Sequence, residues 1–246
     1  MLQRHLTAAL LAATAALGAC GGDDSADPPS RAGTLFVPNS DGSIASCSVL
    51  ADGNPATCRA DAVAGLQSPG NVAAMDERLY IPDVASHAVF VCDQGAADGQ
   101  LACRADDGGG TFQRPMAIAG DAAHAYVTNG DHTVTVCALG DDGAFAGCTS
   151  TDGGGAFSNP IGIGVAEGSV YVANQADDTV AVCRQAADGS LADCARHAGD
   201  GAFAIPTGLA VADGRLYVTN LRDHSITTCR LGAAGALADC SKSGRL

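Results

Sequence analysis

The sequence predicts an all-β fold of about five repeated four-stranded units, each with a disulfide across its outer hairpin. Three observations carry this. Ten of the 11 cysteines form pairs eleven positions apart: Cys47 and Cys58, Cys92 and Cys103, Cys137 and Cys148, Cys183 and Cys194, and Cys229 and Cys240. Successive pairs start 45, 45, 46 and 46 residues apart. Between them run short apolar segments set off by Gly, Asp and Asn turn signals, with no helical periodicity. Four strands in about 45 residues, repeated, make the radially stacked blades of a β-propeller.

The chain divides into three parts. Residues 1–19 read as an export signal: Arg4 supplies the positive start, and the apolar "LTAALLAATAALGA" (6–19) is too short to span a bilayer comfortably. The ending "LGAC" resembles the lipobox of bacterial lipoproteins, which implies lipidation of Cys20. Gly21 rather than Asp, by the same resemblance, favours the outer membrane. Residues 20–32 then form the acylated cysteine and a polar, Pro-containing tether. Residues 33–246 are the propeller domain.

Each period begins with an inner strand, such as "IGIGV" (161–165) or "TGLAV" (207–211), followed by a second such as "SVYVAN" or "RLYVTN". A cysteine-bearing third strand and a return strand complete it. Asp52-Gly53, Asp142-Gly143, Asp188-Gly189 and Ala234-Gly235 lie midway between their cysteines. A two-residue turn with φ > 0 at both positions would set the cysteines opposite each other. In the second repeat Asp98-Gly99 sits one residue late, predicting a bulge or longer loop. No inner strand precedes the first hairpin. The expectations are a three-stranded first blade in a five-bladed monomer, an open ring, or a ring completed by another chain.

Composition narrows the function. The net charge is -14 with one lysine, Lys242, so nucleic acid and anionic membrane surfaces are poor partners. Aromatics are 4% with no Trp, and Gly numbers 32, so the core has little apolar bulk and needs covalent support. Evenly spaced cysteines in an exported chain read as disulfides; zinc sites use cysteines two to four apart with His.

"YVTN" occurs at 126–129 and 217–220, with "YVAN" at 171–174, "FVPN" at 36–39 and "YIPD" at 80–83. These repeats resemble the YVTN-repeat β-propellers, which include surface-layer-like and lactonase-like proteins. The resemblance implies a propeller over residues 33–246 and is weak for activity.

On a propeller the loops after the second strands and the links between blades share a face. That candidate binding face gathers Asn129, Asp131 and His132; Asn174, Asp177 and Asp178; and Asn220, Asp223 and His224, with the links "DGGGTF", "DGGGAF" and "GDGAF". Taken singly, an Asn or Asp at a strand end more often closes its own turn. His124 and His197 read as solvated. The Gly-rich links lack the Lys-Ser/Thr and helix of a phosphate loop, and neither Gly-x-Ser-x-Gly nor His-Glu-x-x-His occurs. The Asp-rich turns lack EF-hand spacing, although a calcium ion at one loop is an alternative. Lactonase-like propellers place carboxylate, Asn, His or Arg groups at the channel, whereas Asn71 is the one strongly polar inner-strand side chain here. Glu77 and Glu167 lie in turns on the opposite face. The sequence therefore reads as a lipid-anchored envelope module binding a protein or glycan, with no cofactor, no metal and no catalytic set. A metal-assisted lactonase-like hydrolase is the alternative.

Overall fold

The computed structural model describes residues 31–94 and 100–243. Cys20, the leader, most of the tether and Asp98-Gly99 lie outside the described residues.

Five antiparallel blades form a propeller with almost no helix. Blade 1 holds β1 (Arg31–Pro38), β2 (Ser43–Leu50) and β3 (Pro55–Ala62). Blade 2 holds β4 (Ala73–Met75), β5 (Arg78–Asp83), β6 (Ala88–Asp93) and β7 (Ala102–Asp106). Blade 3 holds β8 (Pro115–Gly120), β9 (His124–Asn129), β10 (Val134–Leu139) and β11 (Phe145–Thr151). Blade 4 holds β12 (Pro160–Ala166), β13 (Ser169–Asn174), β14 (Thr179–Gln185) and β15 (Leu191–His197). Blade 5 holds β16 (Pro206–Ala212), β17 (Arg215–Asn220), β18 (Ser225–Leu231) and β19 (Leu237–Lys242). Blade 1 thus has three strands, as the missing inner segment implies. Its β1 begins two residues inside the stretch read as tether.

The second strands read as nearly continuous apolar runs because both of their faces are buried. Alternation sends Ala125 and Val127 back onto Tyr80, Val89 and Val91 of blade 2, and Tyr126 forward onto Val170, Val172 and Ala181 of blade 4. Each link adds one aromatic plug: Phe112, Phe157 and Phe203 are buried between successive blades. The glycines before them are needed there. Gly153 has φ +63, and a Cβ on it would stand 2.8 Å from the Phe157 ring. The links expected to be polar loops are therefore half core.

All five disulfides form, with facing Cα atoms 3.9 to 4.1 Å apart. The route differs from the expected two-residue turn. In blade 3, Gly143 N donates to Gly140 O (2.8 Å) and Gly140 N to Ala144 O (3.0 Å), closing a three-residue loop with Gly143 left-handed and Asp142 not. That register would face Cys137 with Gly147, one position before Cys148. A bulge in the return strand, between the partners of Val136 and Ala138, restores the facing cysteines. Blades 1, 4 and 5 repeat the shift beside Cys47, Cys183 and Cys229. The paired part of blade 2's hairpin, from Val89 to Asp93, runs without one. A type I turn with one left-handed glycine accounts for Asp as well: Asp142 Oδ1 accepts the Ala144 amide (3.0 Å), which holds its carboxyl below the usual range.

Candidate functional site

Two regions could hold a ligand. The first is an axial cavity of about 320 Å³, lined by Pro38 of β1, by Asn71 and Val72 ahead of β4, and by Ala117 and Ile118, Gly162 and Ile163, and Gly208 and Leu209 of β8, β12 and β16. All five blades contribute, and none of these side chains titrates. The inner strands crowd backbone against backbone: Asn71 N donates to Met116 O (2.9 Å), and a Cβ on Gly162 would meet Thr207 O at 2.2 Å. The cavity offers amides, apolar surface and one carboxamide.

The second is the loop face, where the structure gathers every candidate but divides them by role. Asn129, Asn174 and Asn220 are buried and turned inward. Their Oδ1 atoms accept the amides of Gln113 (3.1 Å), Ser158 (3.0 Å) and Ala204 (2.9 Å), pinning each incoming link to its blade. Their Nδ2 atoms donate inward, Asn129 to Thr135 Oγ1 (2.8 Å), Asn174 to Ala156 O (2.9 Å) and Asn220 to Thr227 Oγ1 (2.8 Å). Asp83 takes the same place in blade 2, accepting three amides, from Gln67, Ser68 and Ser86.

The carboxylates lie nearer the surface. Asp131, Asp177 and Asp223 each accept a hydroxyl two residues on, from Thr133 (2.6 Å), Thr179 (2.7 Å) and Ser225 (2.7 Å). Asp177 also pairs with Arg196 (3.1 Å) and Asp223 with Lys242 (2.5 Å), and the lysine's hydrogen bond holds the Asp223 carboxyl low.

In blades 2, 3 and 4 the left-handed residue of the loop clasps the next blade. His87 Nδ1 accepts the Arg114 amide (3.3 Å), His132 Nδ1 the Asn159 amide (2.8 Å), and Asp178 Oδ1 the Ile205 amide (2.6 Å). Asp178 Oδ2 pairs with Arg222 (2.6 Å). The Ile205 amide, then Arg222, hold the Asp178 carboxyl below its ordinary value. A depressed folded pKa gives stability present above the unfolded value near ~3.9 and lost as pH falls through the folded one. Urea titrations should show Asp178→Asn destabilised at pH 7 and its deficit shrinking below about pH 4. A deficit constant with pH would mean that the clasp does not depend on the charge.

A second latch was not anticipated from the sequence. Tyr126 Oη donates to Gly189 O of the next blade's hairpin turn (2.8 Å), and Tyr80 Oη to Gly143 O (3.4 Å). A Cβ on Gly235 would stand 2.7 Å from Tyr171 Oη, so the phenol approaches the turn between blades 4 and 5 as well, but there it makes no hydrogen bond to the glycine. Burial, then the nearby Asp121, pushes the Tyr126 phenol up to about 12. Tyr126→Phe should lower the unfolding free energy by about 1 to 2 kcal/mol, since a buried carbonyl loses its donor. A variant equal to wild type in a denaturant titration would remove the latch. The signal was present: each Tyr stands 63 residues before its turn glycine. His124, expected to be solvated, packs beneath the same turn against Gly189 and above Asp121. His197 lines a second cavity of about 320 Å³ between the outer strands of blades 4 and 5.

Among the described residues no group of three His, Cys, Asp or Glu is placed to hold a metal ion, and no helix is long and apolar enough to cross a membrane.

No family model matches the chain, and no curated protein sequence matches it. Solved structures do. A Lactobacillus plantarum protein superposes with a TM-score of 0.67 at 17% identity, covering 86% of this chain and 68% of its own. A putative 6-phosphogluconolactonase from Bacteroides fragilis gives 0.61 at 14% identity, covering 86% and 71%. The periplasmic gluconolactonase of Pseudomonas aeruginosa gives 0.60 at 18%, covering 86% and 66%. These likenesses establish the fold, a propeller of the kind found in lactonase-like proteins.

Proposed function

We propose that the chain is a lipid-anchored module of the bacterial envelope, held through Cys20, that binds a protein or glycan by its loop face without catalysing a reaction. The observation that carries this reading is the axial cavity lining: amides, small apolar residues and Asn71, with no group able to take or give a proton. The loop face supplies what the cavity lacks. Asp131, His132, Asp177, Asp178, Asp223 and His224 recur in register over three neighbouring blades, and the disulfides and latches beneath keep that register rigid. The leader-like residues 1–19 and the name of the periplasmic neighbour both favour an envelope address.

A second reading, a metal-assisted lactonase-like hydrolase, is favoured by the names of two neighbours, the putative 6-phosphogluconolactonase and the periplasmic gluconolactonase. One pair of assays separates the two. The full chain is applied to an array of envelope glycans and proteins, and to a lactone panel with and without divalent cations. Retention that falls in Asp131→Ala with His224→Ala, without lactone turnover, supports the binding module. Turnover that requires a divalent cation sinks it in favour of the hydrolase.

A further inference from the structure

Among the described residues blade 1 is the one blade without an inner strand, and nothing there pairs with the free edge of β1. The facing side of blade 5 is uncovered too. Tyr217 and His224 hold the places of Tyr126 and His132, yet neither makes the latch or the clasp of the earlier junctions. Tyr217 is half-buried where Tyr126 and Tyr171 are fully buried. Thr219 is exposed, whereas its counterpart Thr128 donates across to Ile161 O of the next blade (2.9 Å). Among the described residues two large apolar side chains are exposed, Val37 at 38% and Leu221 at 56%, and Val37 stands on the free-edged β1 itself.

We propose that the gap is a docking slot for an extended strand of another polypeptide, added to the free edge of β1: six or seven uncharged residues in which Gly or Ala alternates with Ile, Leu or Val. The other blades display what fits. Their inner strands are "AAM", "PMAIAG", "PIGIGVA" and "PTGLAVA", each antiparallel to a partner equivalent to β1. The axial cavity beside the slot has no charged lining, so a charged strand would lose its hydration without gaining a partner. Small residues are required because neighbouring inner strands meet backbone to backbone, as Gly162 meets Thr207.

The residues that lead into β1 do not suit the slot. Intact blades turn from inner to second strand within two or three residues. β1 instead continues through that position, Arg31 pairing with Leu50 and Gly33 with Val49, so the chain passes the slot's mouth rather than turning into it. The ten residues before Arg31 carry Asp23, Asp24 and Asp27 with Pro28 and Pro29, and proline cannot donate to a ladder. Among its described residues a second copy has no spare inner strand, since each of the four is already paired. A free strand edge beside apolar surface is the arrangement that strand addition uses.

The test is hydrogen exchange of the full chain, with native mass spectrometry, against the synthetic peptide PIGIGVA and a control, PIGPGVA. The expected result is saturable one-to-one binding of PIGIGVA that slows exchange across residues 33–38 by about tenfold or more, with no effect of the control. No saturable binding, or equal binding of the control, overturns the proposal. So does protection of β1 before any peptide is added: in a monomer it would mean that the chain's own leading residues fill the slot, and in a dimer that a second copy does. The loop-face assays above do not bear on this outcome, so the two ideas fail separately.

Discussion

Asn174→Ala is expected to lower the unfolding free energy by about 2 to 4 kcal/mol, because the half-buried Ser158 amide loses its acceptor and the buried Ala156 carbonyl one of its donors. Asn174 sits fully buried at the end of β13, accepting from Ser158 N (3.0 Å) and donating to Ala156 O (2.9 Å) and Thr179 Oγ1 (3.0 Å). The decisive variant is Asn174→Asp. It keeps the acceptor for Ser158 but sets a carboxylate oxygen against the Ala156 carbonyl, which cannot donate. It should be no more stable than the alanine variant at neutral pH. Blade 2 shows the converse, since Asp83 occupies the equivalent place where every partner is an N–H. Denaturant titration of both variants decides it, and an aspartate variant within about 0.5 kcal/mol of wild type would mean that the Asn ladder is not what fastens link to blade.

That ladder marks where sequence reading succeeded and where it stopped. Period, strand order and cysteine pairing were legible because each rests on local chemistry repeated five times: alternation sets the strands, and equal spacing sets the bridges. The hairpin loop was misjudged because Asp-Gly serves both a two-residue turn and a three-residue turn followed by a left-handed glycine. Only the compensating bulge beside Cys148 separates them, and "FAGCT" carries no signature for it. The inward turn of Asn129, Asn174 and Asn220 was foreseeable for single residues but not as a set. Their partners Gln113, Ser158 and Ala204 stand 16 residues away, in links that look like solvated loops until their phenylalanines are seen to be core. The Tyr-to-glycine latch was missed because it joins different blades, although its 63-residue offset repeats in the sequence. The candidate face thus resolves into buried asparagines that build the blade, half-buried Asp177, Asp178 and Asp223 held in ion pairs, and exposed Asp131, His132 and His224.

Full reduction of the five disulfides should unfold the domain at temperatures the oxidised protein tolerates. Each bridge spans a separation of 11 residues, and closing a loop that short is worth about 3 kcal/mol in the chain-entropy model. Five such constraints are comparable to the whole stability of an ordinary domain, about 5 to 15 kcal/mol. The sulfurs also pack: Cys92, Cys137, Cys183 and Cys229 are fully buried members of the four inter-blade clusters. Bridge loss should therefore be graded by position. Cys58 is exposed on β3, while Cys103, Cys148, Cys194 and Cys240 are half-buried, so Cys47–Cys58 should be reduced first, with the least loss of structure. A thermal melt after each reduction step, with the reduced pair identified by alkylation and mass spectrometry, reads both effects. A melting temperature unmoved by complete reduction would show that the latches and plugs between blades suffice alone. Loss of an inner bridge before Cys47–Cys58 would show instead that access from the side of blade 1 does not govern their chemistry.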